Sequence, residues 1–377
     1  MKNLHTLLFF TGLCMPVTTI AADNNLAIKK IFASRVSKNS PGCNLGVIKN
    51  QQLVHKAGYG LANLEMNVPL DGSQVHRMAS VSKQFTAMAV LLLAEEGKVD
   101  LDADIHTYLK DLRDYGELVT IRAMLGHVSG MGDYDLIAGS YEGEKSKGSI
   151  DLKSVAGGDF RLGNEDYLTI SEFYDVVKTV PLALKPNQKF QYSNLAYFLL
   201  SMLVEEVSGK SLRDYTAEKI FTPLGMSHTF FSDNPVEIIR NRAMGYAKNE
   251  AGSYINEMTN LFWVGDGGLH TNLEDMLKWD ENFYTPQVGK NPSKLVGLMN
   301  TPNSDLKANK SSYANGQFIG ETMGRISYSH SGGWLGTSTY YVRFPDEKMS
   351  FAMMCNDSGL DAQRLINEVI ALYLDIQ

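Results

Sequence analysis

Leu365, Ile366, Val369, Ile370 and Tyr373 recur at i, i+1, i+4, i+5 and i+8 of DAQRLINEVIALYLDI, a spacing that predicts an amphipathic helix near the C-terminal end. Before it, GTSTYYVRFPDEKMSFAMMCND reads as two strands turning at Pro345, Asp346 and Glu347. Toward the other end, NNLAIKKIFASRV places Leu26, Ile31, Phe32 and Val36 at roughly helical spacing. CNLGVIKNQQLVHKAGYG comes next as two strands around a Lys49–Gln51 turn. Between these ends, residues 79–97, 170–180, 194–208, 212–220 and 272–284 read as helices. Residues 138–165, rich in Gly, Ser and Lys and without periodicity, read as a long loop. The pattern predicts an α+β fold, with an antiparallel sheet built from both termini, flanked by helices, and a mostly helical inserted region. The expected boundaries are 23–75 and 305–377 for the sheet region and 76–304 for the helical one.

Residues 1–22 differ in character from the rest of the chain. Lys2 precedes an apolar run from Leu7 to Cys14, and the segment ends in Thr19, Ile20, Ala21 and Ala22. This reads as a secretory signal peptide cut after Ala21 or Ala22. The run is broken by Gly12 and Pro16 and falls short of the ~20 residues of a spanning helix, so no stable membrane anchor is expected. The expected location is secreted or periplasmic. The remaining length suits one large domain or two intimately packed ones.

A net charge of −7 without basic clusters disfavours nucleic acid as a partner. Of three cysteines, Cys14 leaves with the signal. Cys43 and Cys355 each lie in an apolar, strand-like run. An oxidising compartment permits a disulfide between them, and two buried thiols in adjacent strands fit the sequence equally. Two cysteines so far apart do not make a zinc site.

The candidate chemistry lies in three short stretches. In MASVSKQFTAMAV, Ser80 and Lys83 are three residues apart at the head of an apolar helix, and so share a face. Burial lowers a lysine's pKa, and a less basic lysine beside a serine can take its hydroxyl proton. The plainer account makes Ser80 an N-cap and lets Lys83 snorkel to water. In KFQYSNLAYFLL, Tyr192 and Asn194 precede another apolar helix. A tyrosine beside a lysine can share proton transfer, and an asparagine amide can orient a substrate amide. Helix capping by Ser193 or Asn194, with Tyr192 packing, explains the same residues. In ISYSHSGGWLGTSTYYVRF, His330, Ser331, Gly332 and Gly333 lead into the terminal hairpin. Paired glycines let backbone approach a ligand and offer an N–H as an oxyanion donor, or else they mark a turn with a surface histidine.

Together these stretches read S-x-x-K, Y-x-N and H-x-G. In that order they resemble the serine β-lactamase and penicillin-binding DD-peptidase superfamily, above all the branch around class C β-lactamases. PGCNLGVIKNQQLVHKAGYGLAN, EEGKVDLDADIHTYL, TIRAMLGHVSGMGDY, KIFTPLGMSHT and GDGGLHTNLEDMLKW extend the similarity over most of the chain from about residue 40. The resemblance implies a β-lactamase/transpeptidase-like fold, forming one catalytic unit with its site in the cleft between sheet and helices. It implies no cofactor and no metal. The substrate would be a small molecule or peptide with a reactive carbonyl: a peptidoglycan-type peptide, a β-lactam or an ester.

On this resemblance Ser80 is acylated, Lys83 is the base or assists it, and Tyr192 shares the proton transfer. Asn194 contacts the substrate amide, the N–H groups of Ser80 and Gly333 form the oxyanion hole, and His330 and Gly332 belong to the substrate-binding wall. His127 is expected to be structural, and Asp266 to fix a loop without a catalytic role. Class C β-lactamases carry lysine where this chain has His330. With an unperturbed pKa near ~6.5, a histidine there is charged only part of the time near neutral pH. The expectation is therefore a DD-peptidase, D-aminopeptidase or esterase type of serine hydrolase, with a true class C-like β-lactamase as the alternative. A non-catalytic binding protein is disfavoured because Ser80, Lys83, Tyr192 and His330 are all present. No G-x-S-x-G, H-E-x-x-H or Walker-type loop occurs, which argues against an α/β-hydrolase, a zinc protease and a nucleotide enzyme.

Overall fold

The structure, a computed structural model, describes residues 17–134, 168–259 and 264–374, with side chains from residue 24 onward. The expected loop 138–165 lies outside the described residues, as does the expected signal segment up to residue 16. The main helices in chain order are α1 (Val17–Ala33), α2 (Lys83–Glu95), α3 (Ile121–Leu125), α4 (Ile170–Val177), α5 (Asn194–Ser208), α6 (Leu212–Thr216), α7 (Leu273–Glu281), α8 (Pro292–Met299) and α9 (Ala362–Tyr373). A 3₁₀ turn, Ala79–Ser82, leads directly into α2. The helix expected over 212–220 divides, because α6 gives way to a π-helical turn at Ala217–Phe221. α3 and α8 carry no periodic signal strong enough to be read from sequence. Each spans only one or two turns, and Pro292 opens α8.

Among the described residues, seven strands form one antiparallel sheet. They are β1 (Cys43–Lys49), β2 (Gln52–Tyr59), β3 (Ser312–Ala314), β4 (Gln317–Thr322), β5 (Arg325–Trp334), β6 (Thr337–Phe344) and β7 (Met349–Cys355), in the spatial order β3-β4-β5-β6-β7-β1-β2. The two ends of the chain meet where β1 lies against β7, with Cys43 opposite Cys355 and Lys49 opposite Met349. A disulfide joins Cys43 to Cys355. The fold is thus α+β, with the sheet drawn from both ends. The first hairpin turns at Asn50 and Gln51, both at positive φ.

Both faces of the sheet are covered, which explains why MSFAMMC is apolar without alternation. Met349, Phe351 and Met353 of β7, with Leu45 and Val47 of β1, pack against Phe32 of α1 and Leu365, Ile366, Val369 and Ile370 of α9. Ala352 and Met354 of the same strand, and Tyr341 of β6, join the larger core of the helical side. On α1 the buried positions are Ile28 and Phe32, while Leu26 is exposed. α2 runs through the middle of the helical core, in contact with α5, α6 and α8. Every residue from Lys83 to Leu93 is buried, so the helix has no polar face.

Candidate active site

Ser80 sits in the 3₁₀ turn before α2, and the turn is held from both sides. Met78 donates its N–H to the Leu269 carbonyl, and its own carbonyl accepts from the Thr339 hydroxyl of β6 at 2.8 Å. The Ser82 hydroxyl accepts the Leu269 N–H at 3.0 Å. Ala79, just before the serine, has φ +45°, a left-handed conformation that side chains other than glycine seldom adopt. Such strain persists only where the surroundings over-determine it, and here it aims Ser80 into a cleft. As the second residue of the turn, Ser80 has an N–H with no partner within the turn.

Lys83, one turn later, is fully buried. Its ammonium lies 3.3 Å from Ser80 Oγ and donates to Asn194 Oδ1 at 2.7 Å and to the Asp266 carbonyl at 2.8 Å. Burial lowers its pKa from 10.5 to about 8, against the opposing pull of the Asp266 and Asp133 carboxylates. The ring of Tyr192 lies beneath the ammonium, 4.8 Å from Nζ to centroid. The Tyr192 hydroxyl is held well above its usual pKa of 10, first by burial, with the Ser80 side chain acting in the opposite sense. At neutral pH the tyrosine therefore stays protonated, while burial brings the titration of Lys83 down toward physiological pH.

Ser193 caps α5, its hydroxyl accepting the Ala196 N–H at 3.0 Å. That frees the Asn194 side chain for the site. Its Nδ2 donates to Asp133 Oδ2 at 3.0 Å, which turns its oxygen toward Lys83. Asn194 therefore tethers the lysine to Asp133 through its side-chain amide.

His127 brackets Tyr192. Its carbonyl accepts the Gln191 N–H at 2.7 Å, and its Nδ1 accepts the Ser193 N–H at 3.1 Å. Its ring packs on the Tyr192 ring with centroids 4.2 Å apart. Because Nδ1 accepts, the proton of the neutral ring is on Nε2, among the rings of Phe190, Tyr197 and Tyr313. His127→Phe keeps the ring and removes the acceptor for Ser193. It is expected to lower kcat about 10–100-fold, the scale of a misplaced proton-transfer group, with KM shifting less than about twofold. His127→Asn tolerates the +56° φ of this position and restores an acceptor, so it should recover part of the loss. Equal losses in kcat for the two variants would show that the acceptor for the Ser193 N–H is not what His127 contributes.

β5 closes the site opposite Ser80. A side chain at Gly332 would fall 2.3 Å from the Met78 carbonyl and 2.2 Å from Thr339 Oγ1, so only glycine lets β5 lie against the serine's turn. Gly333, the next residue, faces open space. Ser80, Phe190, Tyr192, Lys307, Asn309, Phe318, His330, Ser331 and Gly333 line one open cleft of about 560 Å³. The structure thus brings Ser80, Lys83, Tyr192, Asn194, His330, Gly332 and Gly333 around one cleft, with Cys43–Cys355 set apart between β1 and β7.

A family model described as "Beta-lactamase" matches residues 28–375. The chain belongs to the beta-lactamase family. It is 27% identical over 322 residues to "Penicillin-binding protein 4*" of Bacillus subtilis, covering 81% of this chain and 65% of that one. It is 24% identical to a "D-aminopeptidase" of Gluconobacter oxydans, covering 89% of this chain and 59% of that one. The chain thus spans less than two thirds of the length of these curated relatives. The octameric penicillin-binding protein homologue from Pyrococcus abyssi superposes with a TM-score of 0.75 at 26% identity, covering 96% of this chain and 78% of that one.

Within this beta-lactamase frame, the third motif is electrically different from the sequence expectation. His330 is buried. Its Nδ1 lies 2.6 Å from the Ser331 carbonyl, which can only accept, so Nδ1 carries the proton. Nε2 then accepts from the Tyr313 hydroxyl at 3.0 Å. Burial, aided by Lys83, lowers the His330 pKa to about 3. The partial positive charge expected near neutral pH is therefore absent, because both ring nitrogens are satisfied in the neutral form.

Asp266 acts through its backbone, offering its carbonyl to Lys83, while its carboxylate accepts from the Tyr134 hydroxyl. Asp133, Tyr134 and Tyr313 carry no motif of their own. Their roles arise from contacts across long stretches of chain, and only the acidic DY pair after GMG marks the first two in the sequence.

Proposed function

We propose that this chain is an exported serine hydrolase that opens amide or ester carbonyls through an acyl-enzyme on Ser80, with D-configured amides and peptides, or esters, ahead of β-lactams as substrates. The observation that carries the reading is a fully buried Lys83 with a pKa near 8 and its Nζ 3.3 Å from Ser80 Oγ. Neutral Lys83 takes the Ser80 proton as Oγ bonds to the carbonyl carbon. The oxyanion is met by the N–H groups of Ser80 and Gly333. Collapse of the tetrahedral centre breaks the bond to the leaving nitrogen or oxygen. Tyr192 supplies that atom's proton and is recharged from Lys83. Water then repeats the sequence on the ester, with the proton travelling in the opposite direction.

The D-aminopeptidase relative supports a D-configured substrate. The uncharged His330 weighs against efficient β-lactam turnover. The leader-like N-terminal segment and the Cys43–Cys355 disulfide support export. Among the described residues no helix is long and apolar enough to cross a membrane.

The test is intact-protein mass after separate incubation with a D-alanyl aryl ester and a penicillin, with any adduct mapped by peptide mass. Ester turnover with a transient acyl group on the Ser80 peptide is expected. Rapid penicillin hydrolysis would favour the β-lactamase alternative, and the absence of any adduct at Ser80 with either reagent would refute the proposal.

A further inference from the structure

The segment that leads into the serine's turn carries a cluster of cations set behind the cleft. The short strand His76–Arg77 pairs with the strand Leu269–Thr271, and Val75 just before it pairs with Arg242. The Val75 N–H donates to the Asn241 carbonyl at 2.9 Å, and the Ala243 N–H donates to the Val75 carbonyl at 3.0 Å. Residues two apart on an extended segment share a face, so Arg77 and Arg242 reach the same side of this ladder.

Both arginines line one small cavity, walled also by Met258, Leu335, Gly336 and Thr337. Its volume is about 10 Å³, room for one water-sized particle and not for a phosphate, sulfate or carboxylate group. Burial pushes the Arg77 pKa down to about 10, with the Asp266 carboxylate opposing and Arg242 adding to the push. Burial also lowers the Arg242 pKa, and there no carboxylate opposes it. Arg77 donates its Nε–H to the Gly267 carbonyl at 3.1 Å, whereas Arg242 joins no ion pair among the described residues. The two histidines beside them add no charge: burial lowers the His76 pKa to about 3 and takes that of His270 well below its usual 6.5. Both guanidinium groups are charged at neutral pH and repel each other, and the Asp266 carboxyl can balance only one of them.

A guanidinium donates hydrogen bonds and accepts none. Water between two of them leaves their repulsion in place, whereas an anion accepts from both and removes it. We propose that this cavity is a binding site for one monoatomic anion of about chloride size, held between Arg77 and Arg242. The site is separate from acylation at Ser80 and does not depend on it. Arg77 directly precedes Met78, whose N–H and carbonyl fix the serine's turn, so a bound ion ties the Arg242 segment to the support of the nucleophile.

The test has two readouts on the intact chain. Thermal melts are run in sodium chloride and in sodium gluconate at equal ionic strength, because gluconate is too large for the cavity. Chloride at about ten times its dissociation constant should raise the melting temperature by about 3 °C over gluconate and saturate as a single site. Arg242→Gln should lose that increment, and Arg242→Lys should keep part of it. Crystals grown in sodium bromide should show an anomalous peak within hydrogen-bond reach of both guanidinium groups, and Arg242→Gln should lose it. No chloride increment in the wild type, or an increment unchanged in Arg242→Gln, would overturn the assignment. So would bromide found only elsewhere on the protein, an adventitious ion only. The wild-type melts and the bromide map decide the matter even where Arg242→Gln fails to fold.

Discussion

Ser80→Ala is expected to lower kcat/KM on an aryl ester by at least ~10⁴-fold, to the residual level that binding and oxyanion donors supply without a nucleophile. No other group in the cleft can take over. Tyr192 is protonated at any ordinary pH, and Lys83 is buried behind Ser80. The fold should be indifferent to the change. The turn is fixed by Met78, Thr339, Ser82 and Leu269 through groups other than the Ser80 side chain, and Ala79 keeps its left-handed φ with either residue at position 80. The check is paired: steady-state kinetics beside a thermal melt of the same preparation. A melting temperature within about 2 °C of wild type with activity gone places the loss in chemistry. Residual activity within tenfold of wild type would mean that another residue is acylated and would sink the mechanism.

What could be read from the sequence divides by the range of the physics involved. Ser80 and Lys83 are legible because a three-residue step on a helix puts both on one face without any tertiary information. The sheet of both termini is legible for a similar reason, since Met349–Cys355 and Cys43–Lys49 are strand-like by themselves and each is followed or preceded by a helix of matching polarity. That Tyr192 and Asn194 meet Lys83 is not legible from spacing. The Lys83–Asn194 contact spans 111 residues, and only the family resemblance joins the motifs in advance.

Asp133 shows the same limit more sharply. It fixes the Asn194 amide from 61 residues away, and nothing local distinguishes it from a loop carboxylate. The charge of His330 is beyond sequence altogether, because it depends on Tyr313 and on burial that a three-residue motif cannot report. The β3–β4 turn is an intermediate case. Asn315 and Gly316, both at positive φ, are the strongest short hairpin signal, but their flanks SSYA and QFIG are too short and too polar to register as strands.

Lys83→Met separates chemistry from stability most cleanly. The variant is expected to lose ~10³-fold or more in kcat/KM while its melting temperature at pH 7 moves by only a few degrees in either direction. The folded-state pKa of Lys83 is about 8, against 10.5 for the free side chain. Between those values the unfolded chain binds more protons than the folded one, so wild-type stability rises with pH across about 8 to 10.5. Below pH 8 the whole cost of burying the ammonium is present, about 3 kcal/mol for a shift of this size. Methionine removes that cost but leaves Asn194 Oδ1 and the Asp266 carbonyl without their donor, a loss of similar scale. The two nearly cancel in stability.

Nothing cancels in the rate, because the proton acceptor for Ser80 is gone. In the wild type, kcat/KM should rise tenfold per pH unit below about 8 and level off above it, since only neutral Lys83 can accept the proton. A hydroxylamine or a small primary amine in the buffer should restore some activity to Lys83→Ala, whose truncated side chain leaves room for it, and none to Lys83→Met. A wild-type profile flat from pH 6 to 9, or a Lys83→Met protein that keeps more than a tenth of its activity, would remove Lys83 from the role of base and leave Tyr192 to be tested in its place.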